Sequence, residues 1–210
     1  AGFDNCDVVV RNCVLNCACS SLRFSGNNVL IENCRSYTPA RYGFRGSIPK
    51  DQRYRMPLTD EKCRHSTHTP FKYYCDFRAD IRKTPGDILI RNCTFEGPDA
   101  AFQLEFDGKH QWCCNRSLAS ITFENCTITG VSKPLLIHGD ANEPIDFTLK
   151  NVKITTREGF GDVAFMDATN YGSITLDRGT VEGYHQPKLL AHTEGKVKIV
   201  DSSPIVVEKK

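Results

Sequence analysis

One short phrase recurs along the chain and constrains the fold more than any other feature of the sequence. Each copy alternates apolar and other residues with period two, which is the pattern of a strand that buries one face. Most copies reach an asparagine, a residue type that tolerates the left-handed backbone of a sharp bend. The copies are VVVRNC, VLIENC, ILIRNC, ITFENC, FTLKNV and ITLDRG, ending at Cys13, Cys34, Cys93, Cys126, Val152 and Gly179, and a weaker VKIVDS ends at Ser202. Such copies predict a repeat architecture in which successive strands stack as rungs.

Two columns of residues support this stacking. The residue before each bend alternates in sign along the chain, so strands about 4.8 Å apart would place each charge beside an opposite one. The residue after each bend is small and apolar, as a narrow interior requires. The charged column is Arg11, Glu32, Arg91, Glu124, Lys150 and Asp177, and the inward column begins with Cys13, Cys34, Cys93 and Cys126. We expect these four thiols to be stacked, inward and unbonded to one another, because side chains that run parallel do not present a disulfide dihedral.

A second family of strands lies between the copies. Its members are SLRFSG (21–26), RYGFRG (41–46), AFQLEFDG (101–108), KPLLIHGD (133–140), DVAFMDA (162–168) and PKLLAHTE (187–194). With at least two strands and several turns in each repeat, the sequence predicts an all-β fold, a parallel β-helix or solenoid of about seven rungs. We expect a single domain over 1–210, interrupted by a long inserted loop at 47–86, and we expect the chain to be a fragment of a longer protein.

The repeated x-[IVF]-x-N-[CV]-x-[IFV] phrase and its stacked asparagine bends resemble the right-handed parallel β-helix proteins of the pectin-lyase-like superfamily. The resemblance covers nearly the whole chain, and it implies a right-handed coil. It also implies a function within a superfamily that consists largely of enzymes that hydrolyse or eliminate polysaccharides, with adhesins and tailspikes as other members. The sequence has no N-x-D motif followed by a paired D-D and no G-H-G loop, which are polygalacturonase signatures.

Candidate catalytic residues lie on the second strand family. If the apolar residues of AFQLEFDG face inward, Glu105 and Asp107 face outward, with carboxyls about 6 to 7 Å apart, the lower edge of the range for inverting glycoside hydrolases. Aligning the glycines that follow two of these strands places His138 beside Asp107, where it is suited to donate a proton. The expected catalytic residues are Glu105, Asp107 and His138, and the expected substrate-binding residues are Asp140, Gln103, His192, Arg45, Tyr54 and Tyr73.

These residues favour a glycoside hydrolase that acts on a polysaccharide or oligosaccharide. A polysaccharide lyase is the neighbouring alternative; it would need a base beside a uronate carboxyl, and the cluster of Glu105, Asp107 and Asp140 would then suit calcium. Otherwise we expect no cofactor. A non-catalytic glycan-binding or structural module is the alternative of a different class. The residues Cys63, His65, His68 and Cys75 are chemically suitable zinc ligands, but their spacing matches no standard structural zinc motif, so no metal site is expected.

Charge and hydropathy exclude some partners. The net charge of +2 and the lack of a basic patch argue against nucleic acid, and no apolar stretch approaches the roughly 20 residues that cross a bilayer. We expect a homo-oligomer or a further domain to cover the open ends of the solenoid. We expect no signal peptide. Eleven cysteines, an odd number that includes an inward ladder, favour free thiols and a reducing, cytoplasmic compartment.

Overall fold

The part of the chain that the computed structural model describes consists mainly of short strands. It covers residues 8–16, 20–24, 28–37, 67–73, 87–97, 101–102, 105–107, 120–139, 141–142 and 144–210, with backbone pairing alone for β3, β6, β9 and β10. The strands are β1 (Val8–Arg11), β2 (Val14–Asn16), β3 (Ser20–Phe24), β4 (Val29–Glu32), β5 (Arg35–Tyr37), β6 (Thr67–Tyr73), β7 (Asp87–Arg91), β8 (Thr94–Glu96), β9 (Ala101–Phe102), β10 (Glu105–Asp107), β11 (Ser120–Glu124), β12 (Thr127–Val131), β13 (Leu135–His138), β14 (Ile145–Lys150), β15 (Lys153–Thr156), β16 (Met166–Thr169), β17 (Tyr171–Asp177), β18 (Thr180–Glu182), β19 (Lys188–Ala191), β20 (Lys196–Val200) and β21 (Val206–Lys209).

These strands form three parallel sheets that the chain visits repeatedly in the same order. The first sheet has seven strands in the order β1-β4-β7-β11-β14-β17-β20, and the second has six in the order β2-β5-β8-β12-β15-β18. The third has eight, β3-β6-β10-β13-β16-β19-β21 together with β9, which pairs with β6 off that path. The fold is therefore all-β and parallel β-helix-like, as the repeat predicts. The described residues include no helix, and accordingly no helix long and apolar enough to cross a membrane is found among them.

The first sheet confirms the alternating column of charges. Its register pairs each of the six charged residues with the next one in the predicted order, from Arg11 to Asp177. Glu32 accepts hydrogen bonds from Arg11 and from Arg91, the latter at 2.7 Å. Glu32 itself is buried between these two side chains. The hydrogen bond from Arg91 is the main cause that lowers the pKa of Glu32 below its ordinary value. A hydrogen bond from Lys150 likewise lowers the pKa of Glu124.

The bends that follow these strands form an asparagine ladder. Asn12, Asn33, Asn92, Asn125 and Asn151 all have positive φ, between 52° and 56°, as the sequence pattern predicts. The side-chain amide of each donates to the amide oxygen of the preceding one, at 3.2, 3.3, 3.3 and 2.8 Å. Neighbouring bends are therefore linked by side chains as well as by the backbone.

The interior beside this ladder is filled by the predicted thiols and by aromatic rings. Cys13, Cys34, Cys93 and Cys126 are free, and each thiol donates to the carbonyl two residues earlier, at 3.2 to 3.3 Å. Burial raises the pKa of Cys34, and contact with Cys126 together with burial raises that of Cys93, so both remain thiols. The rings of Phe95, Phe123 and Phe147 pack in series through the core, the first pair edge-to-face and the second tilted, with centroids 6.1 and 6.0 Å apart.

The third sheet differs from the expected second strand family in two places. The strand expected at 162–168 begins only at Met166, because the segment before it is a turn in which the amide of Val163 donates to the carbonyl of Phe160. The segment 41–46 lies outside the described residues. The second difference is β6, which pairs with β3 and β10 and lies within the 47–86 segment that the sequence predicts to be an inserted loop.

Candidate functional site

The outer face of the third sheet carries the candidate site, and its register places two of the expected residues side by side. Asp107 on β10 is the direct partner of His138 on β13, and Glu105 is the partner of Leu136. This confirms the alignment expected from the sequence. The alternation of buried and half-buried residues along β13 and β16 shows that His138 and Asp167 belong to the outer face.

Three described side chains meet on this face, and the contact uses a residue that was not among the expected ones. Asp167 on β16 lies between His138 and His192, which flank its strand on either side. Its Oδ1 atom lies 3.4 Å from Nε2 of His138 and 3.2 Å from Nε2 of His192. All three side chains are partly exposed, with 30 %, 26 % and 36 % of the surface of His138, Asp167 and His192 accessible. We refer to them as the histidine–aspartate cluster.

The chemistry of a carboxylate determines which ring nitrogens carry hydrogen. An ionised carboxylate only accepts hydrogen bonds, and it repels the lone pair of a bare ring nitrogen. When the two rings are neutral, Nε2 is therefore the nitrogen of each that is suited to carry the hydrogen facing Asp167. The Nδ1 atoms of His138 and His192 then keep their lone pairs. Such an arrangement, in which a carboxylate orients an imidazole, is suited to general acid and base chemistry.

The strand ends beside the cluster are held by a network around Asn170. This residue follows β16 with φ of 51°, and its side-chain amide donates to the carbonyl of Gly139 at 3.0 Å. The hydroxyl of Thr193, next to His192, accepts from the backbone amide of Asn170 at 2.7 Å. Gly139 has no room for a side chain, because a Cβ there would lie 2.2 Å from the carbonyl oxygen of Asn170. The residues next to both histidines are thereby fixed, as a preorganised site requires.

Aliphatic side chains lie on both sides of Asp167 in the same column. Leu136 and Leu190 are its register partners on β13 and β19, and both are half-buried. The outer face therefore combines polar groups with apolar surface, which is the combination that a sugar ring contacts.

The remaining expected residues divide into two groups. For Glu105, Asp107 and Tyr73 the structure describes the backbone of the strand, which fixes their register positions. Gln103, Asp140, Arg45 and Tyr54 lie outside the described residues, as do Cys63, His65 and Cys75, while His68 belongs to β6. Across the part of the chain that is described, no group of three or more His, Cys, Asp or Glu side chains has a geometry that could hold a metal ion.

A second histidine–aspartate pair serves as a comparison. Nδ1 of His185 lies 2.8 Å from Oδ1 of Asp162 at a corner between strands. The two side chains are 77 % and 92 % exposed, so this pair is open to water on most sides. This pair has the same two residue types as the histidine–aspartate cluster, but it has one histidine where the cluster has two, and it does not lie on a sheet.

Elsewhere among the described residues, two open concave surfaces have volumes of about 440 Å³. One covers the outer face of the first sheet, where Val9, Leu30 and Leu89 form an apolar strip and Ser120 donates to Asp87 at 2.7 Å. The other lies beside the asparagine ladder, next to Cys13 and Cys34. Neither brings an acid and a base together in the way that the third sheet does.

Comparisons of the chain with models of protein families, with curated proteins and with solved structures find no match. The parallel β-helix-like fold and the outer face of the third sheet are therefore the observations from which a function is argued.

Proposed function

We propose that the chain is a right-handed parallel β-helix of about seven rungs, related to the pectin-lyase-like superfamily. The regular visiting order of the three sheets supports this proposal, because the chain passes from the first to the second and then the third before it returns to the first. The asparagine ladder supports it as well, since stacked polar side chains at equivalent bends are expected when successive turns of a coil superpose.

The function that the site supports best is that of a carbohydrate-active enzyme, a glycoside hydrolase that acts on a polysaccharide. The observation that carries the proposal is the juxtaposition on the third sheet, where Asp107 is the register partner of His138 and Asp167 lies between His138 and His192. Strand neighbours are about 4.8 Å apart, so one sugar ring spans the distance between these strands.

In the proposed reaction, Glu105 and Asp107 divide the acid and base roles. Positions two apart on one strand share a face and lie about 6 to 7 Å from each other, the lower edge of the spacing that admits a water molecule between base and sugar. One carboxyl protonates the glycosidic oxygen as the bond to the anomeric carbon breaks, and the other takes a proton from the attacking water. His138 supplies a further proton carrier beside Asp107.

The test uses the full chain and measures new reducing ends on a panel of polysaccharides. Asp107→Asn and Glu105→Gln keep the side-chain shape and remove ionisation, so each should lower turnover by about 10²- to 10⁴-fold. Asp162→Asn is the matched control, because it changes a carboxyl beside a histidine far less enclosed by the fold. Circular dichroism checks that all variants remain folded.

Two outcomes would overturn the proposal in different ways. Full activity in both Asp107→Asn and Glu105→Gln would place the catalytic residues elsewhere on the chain. Binding of a glycan without turnover by the wild type would favour the non-catalytic glycan-binding module.

A further inference from the structure

We propose that the histidine–aspartate cluster selects neutral sugars over uronates, because it offers hydrogen-bond acceptors to the ligand. The inference rests on the proposed function, since it concerns the substrate class of the same face.

The first step is the hydrogen-bond polarity of the cluster. Oδ1 of Asp167 lies 3.4 Å from Nε2 of His138 and 3.2 Å from Nε2 of His192. In the neutral form of each ring, the lone pair on Nδ1 therefore remains available to a ligand. The column that holds both rings has Thr169 between them, as the register partner of His138. Apart from the Thr169 hydroxyl, the polar groups at the centre of the face are hydrogen-bond acceptors.

The second step is the match to a ligand. A sugar hydroxyl donates a hydrogen bond, and a neutral pyranose carries several of them around its ring. A uronate carboxylate donates none, and it would meet Nδ1 lone pairs and the carboxylate of Asp167 with like polarity. A uronate keeps its ring hydroxyls and differs from the neutral sugar at C6, so the discrimination applies where the C6 group faces the cluster. There the carboxylate replaces a hydrogen-bond donor and leaves the acceptors of the site unpaired.

The third step concerns the cations near the cluster, which would otherwise attract a carboxylate. On the strands that follow, Lys209 contacts Glu194 at 3.0 Å and Lys188 lies 3.9 Å from Glu208. Both charges are therefore offset by neighbouring carboxylates. Lys210 is a third cation on these strands. It continues the edge strand beside His192, where its backbone amide donates to the carbonyl of Ala191. The centre of the face, between β13 and β16, carries Asp167 as its charged group.

Two measurements on the full chain test the inference. Long-range ¹H–¹⁵N NMR at pH 8, where an ordinary imidazole is neutral, reports which ring nitrogen is protonated. We expect the Nε2–H form for His138 and His192, and a mixture of forms in Asp167→Ala. The matched variant Asp162→Ala should leave both rings unchanged. Observation of the Nδ1–H form in the wild type would overturn the inference, whatever the fate of the proposed enzyme.

The second measurement is calorimetric binding in the Glu105→Gln background, which limits turnover. The probes are hexagalacturonate, its carboxyl-reduced neutral form, and neutral hexamers of glucose, mannose and xylose. We expect the best neutral hexamer to bind at least about tenfold more tightly than hexagalacturonate, and Asp167→Ala to reduce that difference by about tenfold. Tighter binding of hexagalacturonate would overturn the inference and leave the proposed function standing. If none of the probes binds, the proposed function fails and the inference fails with it.

Discussion

The asparagine ladder makes a quantitative prediction, because its members differ in the number of hydrogen bonds they make. Asn125 is an interior member, which donates to Asn92 at 3.3 Å and accepts from Asn151 at 2.8 Å. Asn151 is a terminal member, since Arg178 stands where the next asparagine would be. Asn125 and Asn151 have nearly the same φ, 53° and 52°, so replacing either one by alanine introduces the same backbone strain.

We therefore expect Asn125→Ala to destabilise the protein more than Asn151→Ala. The left-handed backbone costs alanine about 1 to 2 kcal/mol, and each lost hydrogen bond costs about 0.5 to 1.5 kcal/mol. The strain is common to both variants, so the difference between them should equal one ladder bond, about 0.5 to 1.5 kcal/mol. Because both side chains are exposed, the lower half of that range applies.

The assay is urea unfolding followed by circular dichroism, with the free energy of unfolding taken at constant m-value. Asn125→Gly is the control for strain, because glycine adopts positive φ freely; it loses the hydrogen bonds and more backbone entropy on folding, but not the strain. It should lie between the wild type and Asn125→Ala in stability. Equal losses for Asn125→Ala and Asn151→Ala would show that the bond from Asn125 to Asn92, which Asn151→Ala keeps, contributes nothing to stability.

Two further predictions concern the first sheet. Arg178 has φ of 51°, a left-handed conformation that asparagine tolerates better than arginine does. Arg178→Asn should therefore raise stability by about 1 kcal/mol and add a further member to the ladder, next to Asn151. Arg178→Lys is the control and should give no gain in thermal unfolding. Glu32 has a pKa lowered by Arg91 and Arg11, so its contribution to stability is present above the ordinary value of 4.5 and is lost as pH falls through the lowered pKa. Glu32→Gln should therefore be less stable at pH 7 and should lose less stability as the pH falls below 4.5 in acid titrations; a profile identical to the wild type's would contradict this.

Much of the first sheet could be predicted from the sequence, because the signals that define each of its strands lie within a few consecutive residues. The period-two alternation determines which residues are buried, and an asparagine at each bend marks the end of a strand. These two signals together predict the register of stacked strands, and hence the pairing of Glu32 with Arg11 and Arg91. The inward position of Cys93 and Cys126 follows from the same parity.

The third sheet was harder to predict because its strands are separated by segments of unequal length. β6 lies within an apparent insertion and contains Pro70, which lacks a backbone donor and weakens the strand signal. The alignment of Asp107 with His138 was predictable, since a glycine follows each strand at the same place. The role of Asp167 was not, because it contacts histidines in the neighbouring column diagonally, and register alone predicts only direct partners.

The contrast between the outer faces of the two sheets is an argument that the third sheet has a function. In the first sheet, successive charges alternate: Glu32 is bound by Arg11 and Arg91 from the two adjacent strands, and Glu124 is bound by Lys150. In the third sheet, the carboxylate of Asp167 instead faces two imidazoles, which carry no full charge when neutral. Among the described side chains, the column of the first sheet is neutralised by ion pairs, whereas the carboxylate of Asp167 departs from that pattern. A departure from a regular pattern, placed on rigid strands and fixed by the Asn170 network, is expected at a functional site.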